Sequence, residues 1–561
     1  GNPQRLLCWA VAAALLAFLA SYWLTGHQLA SQSVEAVAKA AALTASSLSR
    51  VASSADNRRA DHSRRARVAV GLGANVDVRA SPDRFLALLA AHGGAAMATK
   101  DANNKRIDRL ETASDIVADF QQRSAGRQPA SERHLHNASL FAALVADLTA
   151  AGGVRGSQHH HRVSLGGCPV RLANSLAGFG FKVLLGAGRA AGRMRHRLAE
   201  EVSLAAAAAE TKDSAVDVDE YRLLVEQADP ATGAHSWYAL RRSQWNAQLS
   251  SLRSFQSRME QFQPDLLVLA GLQAIHDHPQ SAGLLRDRLS SLVEFLTASG
   301  RVKTHLRLPP LPSDEPKFAQ LMLEFAVPYA DSLFLDGRGL VALLGAMETG
   351  NPPAVPVEPA TVTVGLDLLR RLYSVLRTTS VMNGRRKVSR LHLRSRLGYQ
   401  ALLVTHRAGW PDPESAVAAA SLAAYRAACG RHDDTEAGYN SVSNRQSRRR
   451  IHPRLLGDSL PSNAAVSPNF GFGFAKSSEP DFFDNWLALN ATRPVGCWTE
   501  SPDFTVCLSL APTCVGGHGG GGGGGGTAAI AAGDASFAAE AAALAAQLGP
   551  AEPIVFQPPG G

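Results

Sequence analysis

The sequence predicts an α/β fold in which helices cover a largely parallel β-sheet. Residues 266–270 form a continuous apolar run, which is typical of a strand buried on both faces. A helix-like pattern over residues 281–298 follows, and residues 303–308 have the pattern of the next strand. This strand–helix–strand order favours a parallel sheet between helical layers. At 561 residues the chain is too long for one simple core, so we expect two or more lobes.

Other segments extend the same alternation along the chain. Residues 68–78 are an apolar, β-branched run interrupted by glycines, which predicts a buried first strand with a polar exit. Residues 80–160 are mostly helical by pattern, and residues 182–185 predict another strand. Residues 391–404 supply a further strand region, and the periodicity of residues 414–429 predicts a helix.

Composition limits the classes of partner. The formal net charge of +9 is compatible with a polyanionic partner, but only residues 445–454 form a compact basic cluster. No aromatic residues interleave that cluster, as a binder of single-stranded nucleic acid requires, so we predict no nucleic-acid partner. The six cysteines show neither CxxC nor zinc-site spacing. Among them Cys497, Cys507 and Cys514 could form one disulfide in an oxidising compartment.

The N-terminal region and two later segments predict little folded structure. Residues 6–24 are almost uniformly apolar, which predicts a signal-anchor or signal peptide within residues 1–27, with a buried core helix as the alternative. Residues 28–66 are rich in Ala, Ser and Arg and predict a flexible tether. Residues 431–500 are polar and predict irregular surface loops. Residues 516–526 form a glycine-rich insertion with a large conformational entropy to lose on ordering.

The main candidate for chemistry lies near the C-terminus. Residues 530–536 are a small-residue segment that contains Gly533-Asp534 and precedes an Ala-rich helical stretch. Backbone N–H groups of a turn there, together with the N-terminus of the helix, would form a pocket for phosphate oxygens. The carboxylate of Asp534 would accept a proton from an attacking hydroxyl. The alternative is that Asp534 is only the N-cap of the helix.

This segment resembles the Gly-x-Gly-Asp signature of ribokinase-like sugar kinases, with Ala531 in the first glycine position. Other segments are similar, in the same order, to those of ADP-dependent glucokinases: residues 67–78, 166–168, 182–186, 219–226, 262–272, 304–306, 330–333, 390–392 and 511–515. The resemblance implies a ribokinase-like, three-layer α/β/α large domain with a smaller α/β lid domain. It places the kinase-like domain within residues 67–550, with a discontinuous lid approximately within residues 79–165 and 210–245.

The resemblance also implies phosphoryl transfer from ADP to the 6-hydroxyl of glucose, with Mg²⁺ as the metal. It implies endoplasmic reticulum localisation and membrane association through the N-terminal segment, and we expect a monomer. The site residues that it implies are Asp534 as general base, Ala531, Ala532 and Gly533 for phosphate, Asn75, Asp77, Gly166 and Gly167 for the sugar, and Asp336 for a metal-bound water.

Several positions depart from the family's motifs, and most of the changes remove a carboxylate or an amide. Magnesium takes oxygen ligands and keeps several waters, so neighbouring carboxylates hold its geometry. The altered positions are Gly73 and Cys168 in place of sugar-site Asn residues, Arg307 and Gly339 in place of Glu residues near the metal, and Arg394 in place of a His.

Three functional hypotheses follow from this pattern. The first is an ADP-dependent glucokinase. The second is a catalytically inactive pseudokinase that serves as a membrane-associated binding or scaffold module, because the altered motifs converge on one site. The third is a ribokinase-like kinase of another substrate, in which Arg307 and Arg338 bind phosphate. The direction of the Arg307 side chain, towards Asp534 or into solvent, separates these hypotheses.

Overall fold

The computed structural model describes residues 66–94, 110–125, 131–150, 163–187, 192–206, 220–228, 235–242, 246–276, 282–298, 302–311, 316–379, 388–395, 399–406, 409–429, 464–465, 495–500, 503–510, 513–514 and 527–548. The predicted N-terminal segment, nearly all of the tether, the glycine-rich insertion and most of residues 431–500 lie outside these ranges. Within the described ranges, no helix is both long and apolar enough to cross a membrane.

The strands, in chain order, are β1 (Arg67–Gly71), β2 (Asn75–Ala80), β3 (Ser131–His134), β4 (Val163–Gly166), β5 (Lys182–Ala187), β6 (Val202–Ala206), β7 (Tyr221–Ala228), β8 (His235–Arg241), β9 (Leu266–Leu269), β10 (Lys303–Arg307), β11 (Ser332–Asp336), β12 (Arg390–Arg394), β13 (Tyr399–Thr405), β14 (Ala464–Ala465), β15 (Val495–Glu500), β16 (Phe504–Leu510) and β17 (Thr513–Cys514). The α-helices are α1 (Pro82–Ala91), α2 (Ala113–Ala125), α3 (Ala138–Ala150), α4 (Cys168–Gly178), α5 (Gly192–Arg195), α6 (Leu252–Phe262), α7 (Gln273–His276), α8 (Ala282–Ala298), α9 (Pro316–Phe325), α10 (Gly337–Thr349), α11 (Val362–Thr379), α12 (Pro413–Cys429) and α13 (Thr527–Leu548).

The large sheet has ten strands in the order β15-β16-β13-β12-β11-β10-β9-β1-β5-β6. Its strands from β12 to β6 are parallel, and β13, β16 and β15 add antiparallel pairs at one edge. Successive side chains of a strand point to opposite faces, so Leu267 and Leu269 of β9 enter one apolar core while Leu266 and Val268 enter the other. Helices cover both cores, which confirms the predicted α/β fold with a parallel sheet between helical layers.

The small sheet has five strands in the order β3-β8-β7-β2-β4. Its apolar face packs against α1, α2 and α3 through an aromatic cluster of Phe85, Phe120 and Tyr238. These strands come from residues 75–166 and 221–241, which overlap the two stretches in which the lid is predicted. Closure of this unit over the large sheet stays a prediction.

The predicted first strand is divided between the two sheets. β1 lies in the large sheet, and after residues 72–74 the chain continues as β2 in the small sheet. Gly73 has a φ of +106°, and a Cβ atom there would lie 2.9 Å from the carbonyl oxygen of Gly271. Both the backbone angle and the close approach require glycine, so Gly73 marks the crossing from one sheet to the other.

One prediction is wrong at the edge of the large sheet that β15 and β16 form. Val495–Glu500, which the sequence predicts as part of an irregular loop, is the edge strand β15. Val495, Trp498 and Thr499 have high β propensity, and pairing with β16 supplies the backbone hydrogen bonds of the strand. Cys497 and Cys507 face each other across this pair and form a disulfide.

Helices α12 and α13 pack against each other on the face of the large sheet that bears Leu266 and Val268. The contact is built from small side chains, including Ala416 and Ala420 on α12 and Ala543 on α13. Small residues let the two backbones approach closely, so α12 and α13 form a close-packed pair.

Candidate active site

The predicted sugar-binding residues meet where the chain passes between the two sheets. Asn75 pairs with Gly166 across β2 and β4, and Gly167 follows immediately with a φ of +82°. A Cβ atom at Gly167 would lie 2.6 Å from the carbonyl oxygen of Gly73. A Cβ atom at Gly166 would overlap the carboxylate of Asp77. Asn75, Asp77, Gly166 and Gly167 are therefore neighbours, as the resemblance implies.

Asp77 is fully buried and is held by two arginines. Arg222 donates from Nε to Oδ1 and from a terminal nitrogen to Oδ2, both at 2.8 Å, and Arg171 donates to Oδ2 at 3.1 Å. Burial raises the pKa of Asp77, but the guanidinium groups of Arg222, Arg171 and Arg79 outweigh it, so the net shift of the pKa is downward. The carboxylate is ionised at neutral pH, and both of its oxygens accept hydrogen bonds from arginines.

Sequence analysis missed both of these arginines. Arg222 lies opposite Asp77 in the pairing of β2 with β7, and Arg171 lies on α4, directly after the glycine pair. They are 145 and 94 residues from Asp77 in sequence, so no local pattern links them. The register of β2 with β7 places Arg222 beside Asp77, whereas Arg171 comes from the first turn of α4.

The segment with Asp534 differs from its predicted local structure. The sequence predicts a turn before an Ala-rich helix, whereas the structure begins α13 at Thr527, so Ala531, Ala532, Gly533 and Asp534 lie inside the helix. The physical reason is that Thr527–Ala532 contains four alanines and an isoleucine, and alanine has the highest helix propensity. The predicted turn and the N-cap alternative for Asp534 are therefore wrong, while its catalytic role stays a prediction.

A row of polar side chains lies beneath α13 on three adjacent strands. His305, Ser332 and Arg390 are aligned in register across β10, β11 and β12, and all three are buried. Arg390 donates to Ser332 Oγ at 2.9 Å, and Ser332 Oγ lies 2.8 Å from His305 Nδ1. His305 Nε2 lies 2.9 Å from Oε1 of Glu540 on α13, so a neutral His305 donates to that carboxylate.

Burial and charge together set the ionisation of this row. Burial lowers the pKa of His305 more than Glu540 raises it, so the net shift is downward and His305 is neutral. Burial raises the pKa of Glu540, but Arg307 and His305 outweigh it, and the net shift is downward. Sequence analysis missed Glu540, because a single glutamate in an Ala-rich helix gives no signal of its partners.

Arg307 points towards α13, not into solvent. Its side chain is 16% exposed, forms an ion pair with Oε2 of Glu540 and donates to Ser536 Oγ at 2.9 Å. The guanidinium carbon lies 4.6 Å from the ring centroid of Phe334 and 4.4 Å from that of Phe537. Burial lowers the pKa of Arg307, but the charge of Glu540 outweighs it and the net shift is upward. Arg307 therefore binds the helix that carries Asp534.

Asp336 and Gly339 lie at the start of α10, at the carboxyl end of β11. Asp336 is the N-cap of α10, and its Oδ1 accepts a hydrogen bond from the Gly339 N–H at 2.7 Å. Glu358, which sequence analysis missed, lies directly against Gly337 and accepts from Ser395 Oγ at 2.9 Å. Two carboxylates thus lie near this strand end, although the described parts of the chain contain no group of three metal-ligating side chains.

Two further altered positions, and the candidate phosphate binder Arg338, lie near these sites. Cys168 begins α4, and Gln273 Nε2 lies 3.8 Å from its Sγ. Arg394 is half-buried and lies opposite Asp336 in the pairing of β11 with β12. Arg338 is exposed on the first turn of α10. All three lie at or near the carboxyl ends of the parallel strands, the edge at which open α/β sheets bind ligands.

A mainly parallel sheet between helical layers, with a small second sheet, is a ribokinase-like fold. An ancestral ADP-dependent phosphofructokinase of the Methanosarcinales has a similar fold, with a TM-score of 0.53 at 14% identity, over 90% of this chain and 98% of that one. At this identity the similarity shows the fold alone.

The chain belongs to the family of ADP-specific phosphofructokinases and glucokinases. Residues 66–459 match the region described as "ADP-specific Phosphofructokinase/Glucokinase conserved region". A probable ADP-dependent glucokinase of Caenorhabditis elegans is 24% identical over 64% of this chain and 69% of its own length. An ADP-dependent glucokinase of Bos taurus is 26% identical over 65% and 69%.

Proposed function

We propose that this protein transfers a phosphoryl group from ADP to the 6-hydroxyl of glucose. The observation that carries the proposal is the convergence of Asn75, Asp77, Gly166 and Gly167 at the crossing between the sheets, in a chain that belongs to a family of ADP-dependent sugar kinases. The amide of Asn75 can hydrogen-bond the hydroxyls of a sugar, and the buried carboxylate of Asp77 can do so when an arginine yields one of its contacts. Such groups reject analogues that lack those hydroxyls.

The predicted chemistry assigns a role to each part of the cleft. Asp534 accepts the proton of the attacking hydroxyl. Inside α13 the N–H groups of Ala531, Ala532 and Gly533 are bonded to carbonyls four residues earlier, so they bind the transferred phosphate only when the first turns of the helix open. Phosphoryl transfer depends mostly on positioning and on neutralisation of charge, so the placement of α13 over the strand ends is the central requirement. Closure of the small sheet over the cleft would exclude water.

The residues at the start of α10 fit a magnesium ion held chiefly by substrate phosphates and water. Such sites use one or two protein carboxylates, and Asp336 and Glu358 supply two near the end of β11. When bound, the ion neutralises charge on the phosphates. Asp336 would orient a metal-bound water, because its Oδ1 already caps α10 and leaves Oδ2 for that contact.

A second candidate is an anionic sugar, such as a sugar phosphate. The support is the positive charge around Asp77, because the guanidinium groups of Arg79, Arg171 and Arg222 all lower the pKa of its carboxyl group. Guanidinium groups bind phosphate oxygens through charge-assisted hydrogen bonds, so this cluster of arginines favours a sugar that carries a phosphate. A measurement of whether the protein prefers glucose or a sugar phosphate therefore decides between the two candidates.

Isothermal titration followed by a coupled turnover assay tests the proposal. We expect the chain to bind ADP with Mg²⁺, to bind it more tightly with glucose, and to form glucose 6-phosphate and AMP. Fructose 6-phosphate in place of glucose tests the second candidate, and Asp534→Asn is the inactive control. Absence of binding and turnover with both sugars, in a folded protein, would overturn the kinase proposal and favour a pseudokinase scaffold.

We also propose that the protein is a monomer located in the secretory pathway and attached to the endoplasmic reticulum membrane through residues 6–24. The Cys497–Cys507 disulfide supports an oxidising compartment, because such bonds are rare in the cytosol. Fractionation of cells that express the chain, with alkaline extraction of the membranes, tests attachment. Recovery of the whole protein in the cytosolic fraction with reduced cysteines would contradict this location.

A further inference from the structure

We infer that Arg307 is a positioning residue, which fixes α13, and with it Asp534, over the carboxyl ends of the parallel strands. The catalytic part of this inference rests on the proposed function. In the resembled family this position carries a glutamate of a His-x-Glu motif, whereas here the charge is reversed and Arg307 binds a helix.

The first support is the depth and number of the contacts that Arg307 makes. Glu540 is fully buried, and its carboxylate is shared between Arg307 and His305. Arg307 also donates to Ser536, on the same helix. An ion pair with additional hydrogen bonds in a buried setting fixes geometry strongly, because loss of either partner leaves an uncompensated charge.

The second support is that two aromatic rings lie against the guanidinium. The rings of Phe334 on β11 and Phe537 on α13 stack on Arg307, so the group lies between the sheet and the helix. Its charge is compensated by Glu540. In this arrangement Arg307 links β10 to α13 and does not face a phosphate, which argues against the hypothesis that it is a new phosphate-binding residue.

The third support is the spacing along α13. Ser536 lies two residues after Asp534, and Glu540 lies four residues after Ser536. Residues four apart in a helix lie on the same face, so Arg307 contacts two consecutive turns of α13 on the face that packs against the sheet. A displacement of these turns would be passed directly to Asp534. A misplacement of about 1 Å at a reacting centre can reduce a rate about 100-fold.

The experiment combines kinetics with hydrogen exchange on the full-length chain. The variants are Arg307→Met, Arg307→Lys, Glu540→Gln and the double variant Arg307→Met/Glu540→Met. Arg286→Met is the matched control, because Arg286 pairs with Glu324 at 2.8 Å and stacks on Phe325, but on the surface, where the two side chains are 65% and 46% exposed.

We expect Arg307→Met to lower kcat on the order of 100-fold, with the dissociation constant of ADP changed by less than about threefold. Amide exchange should accelerate in residues 527–548 and stay unchanged in the strands of the large sheet. Arg307→Lys should recover little, because an ammonium group cannot reproduce the forked contacts of Arg307. The double variant should lose less than the sum of the single losses, because neither charge is left alone.

Two outcomes would overturn the inference: unchanged exchange in residues 527–548, or loss of ADP binding in parallel with kcat. The second would make Arg307 a ligand of the nucleotide. If the wild-type chain shows no turnover with either sugar, the proposed function fails, and the exchange measurement still decides whether Arg307 positions α13. Arg286→Met should match the wild type in every readout.

Discussion

Replacement of Asp77 by asparagine tests whether the buried pair at the crossing between the sheets is as strong as its geometry indicates. Asp77 has no exposed surface, and the side chains of Arg222 and Arg171 are 15% and 18% exposed. Removal of one partner from a buried pair costs about 3 to 5 kcal/mol. Asparagine keeps one acceptor oxygen, so we expect the lower end, about 3 kcal/mol of the free energy of unfolding.

The loss of unfolding free energy in Asp77→Asn should depend on pH. The folded-state pKa of Asp77 lies below its unfolded value of about 3.9. The stabilisation is therefore fully present above about pH 4 and is lost as the pH falls through the folded-state pKa. The difference in unfolding free energy between wild type and Asp77→Asn should stay constant from pH 8 to about pH 5, and should shrink below about pH 4.

Urea unfolding of the full chain, followed by tryptophan fluorescence and circular dichroism, measures this difference. The control is Glu324→Gln, which removes the same charge from the exposed pair with Arg286 and should cost less than about 1 kcal/mol. If Asp77→Asn costs no more than this control, or if its cost does not change in acid, the account of a buried carboxylate held ionised by arginines is refuted.

Three further predictions concern other parts of the fold. Gly166→Ala should destabilise the chain by about 1 to 3 kcal/mol and weaken sugar binding, because its Cβ would overlap the carboxylate of Asp77; urea unfolding and titration with sugar measure the two effects. Burial lowers the pKa of His392 to about 3, so between that value and about pH 6.5 the unfolded chain binds a proton that the folded chain does not. Stability should therefore fall with acid over this range, and a urea titration at several pH values should show a shallower fall for His392→Gln. Replacement of both Cys497 and Cys507 by serine should cost about 2 to 3 kcal/mol, because the disulfide closes a loop with a sequence separation of 10.

Each of these has a result that would count against it. Gly166→Ala with wild-type stability would mean that the Asp77 carboxylate can shift freely. A wild-type pH profile in His392→Gln would mean that this histidine titrates normally in the folded chain. Equal stability of the wild type and the double serine variant in oxidising buffer would mean that the disulfide is absent in solution.

The sequence predicted the framework of the fold from periodicity alone. β5, β9, β10, α8 and α12 lie within a few residues of the predicted segments, because buried parallel strands and long amphipathic helices carry strong local patterns. Local patterns failed where tertiary contact decides the structure. β15 exists through its pairing with β16, and β1 separates from β2 at a crossing that only the backbone angle of Gly73 reveals.

The candidate site was predictable in its members but not in their partners. Asn75, Asp77 and the glycine pair were found through a family resemblance and do lie together. Arg222 and Glu540 were not found, because each acts through contacts more than 100 residues away in sequence. Ion pairs between residues so far apart in sequence depend on strand register and helix placement, which cannot be read from a single sequence.

The placement of α13 has a consequence for how the chain is made. This helix follows every strand of the large sheet in sequence, yet it covers the buried row of His305, Ser332 and Arg390. During synthesis His305 lacks its partner Glu540 until the residues of α13 have left the ribosome. A protein chain that ends before residue 527 would therefore leave Arg307 and Arg390 without the buried carboxylate that compensates their charge, a defect that cellular quality control could recognise.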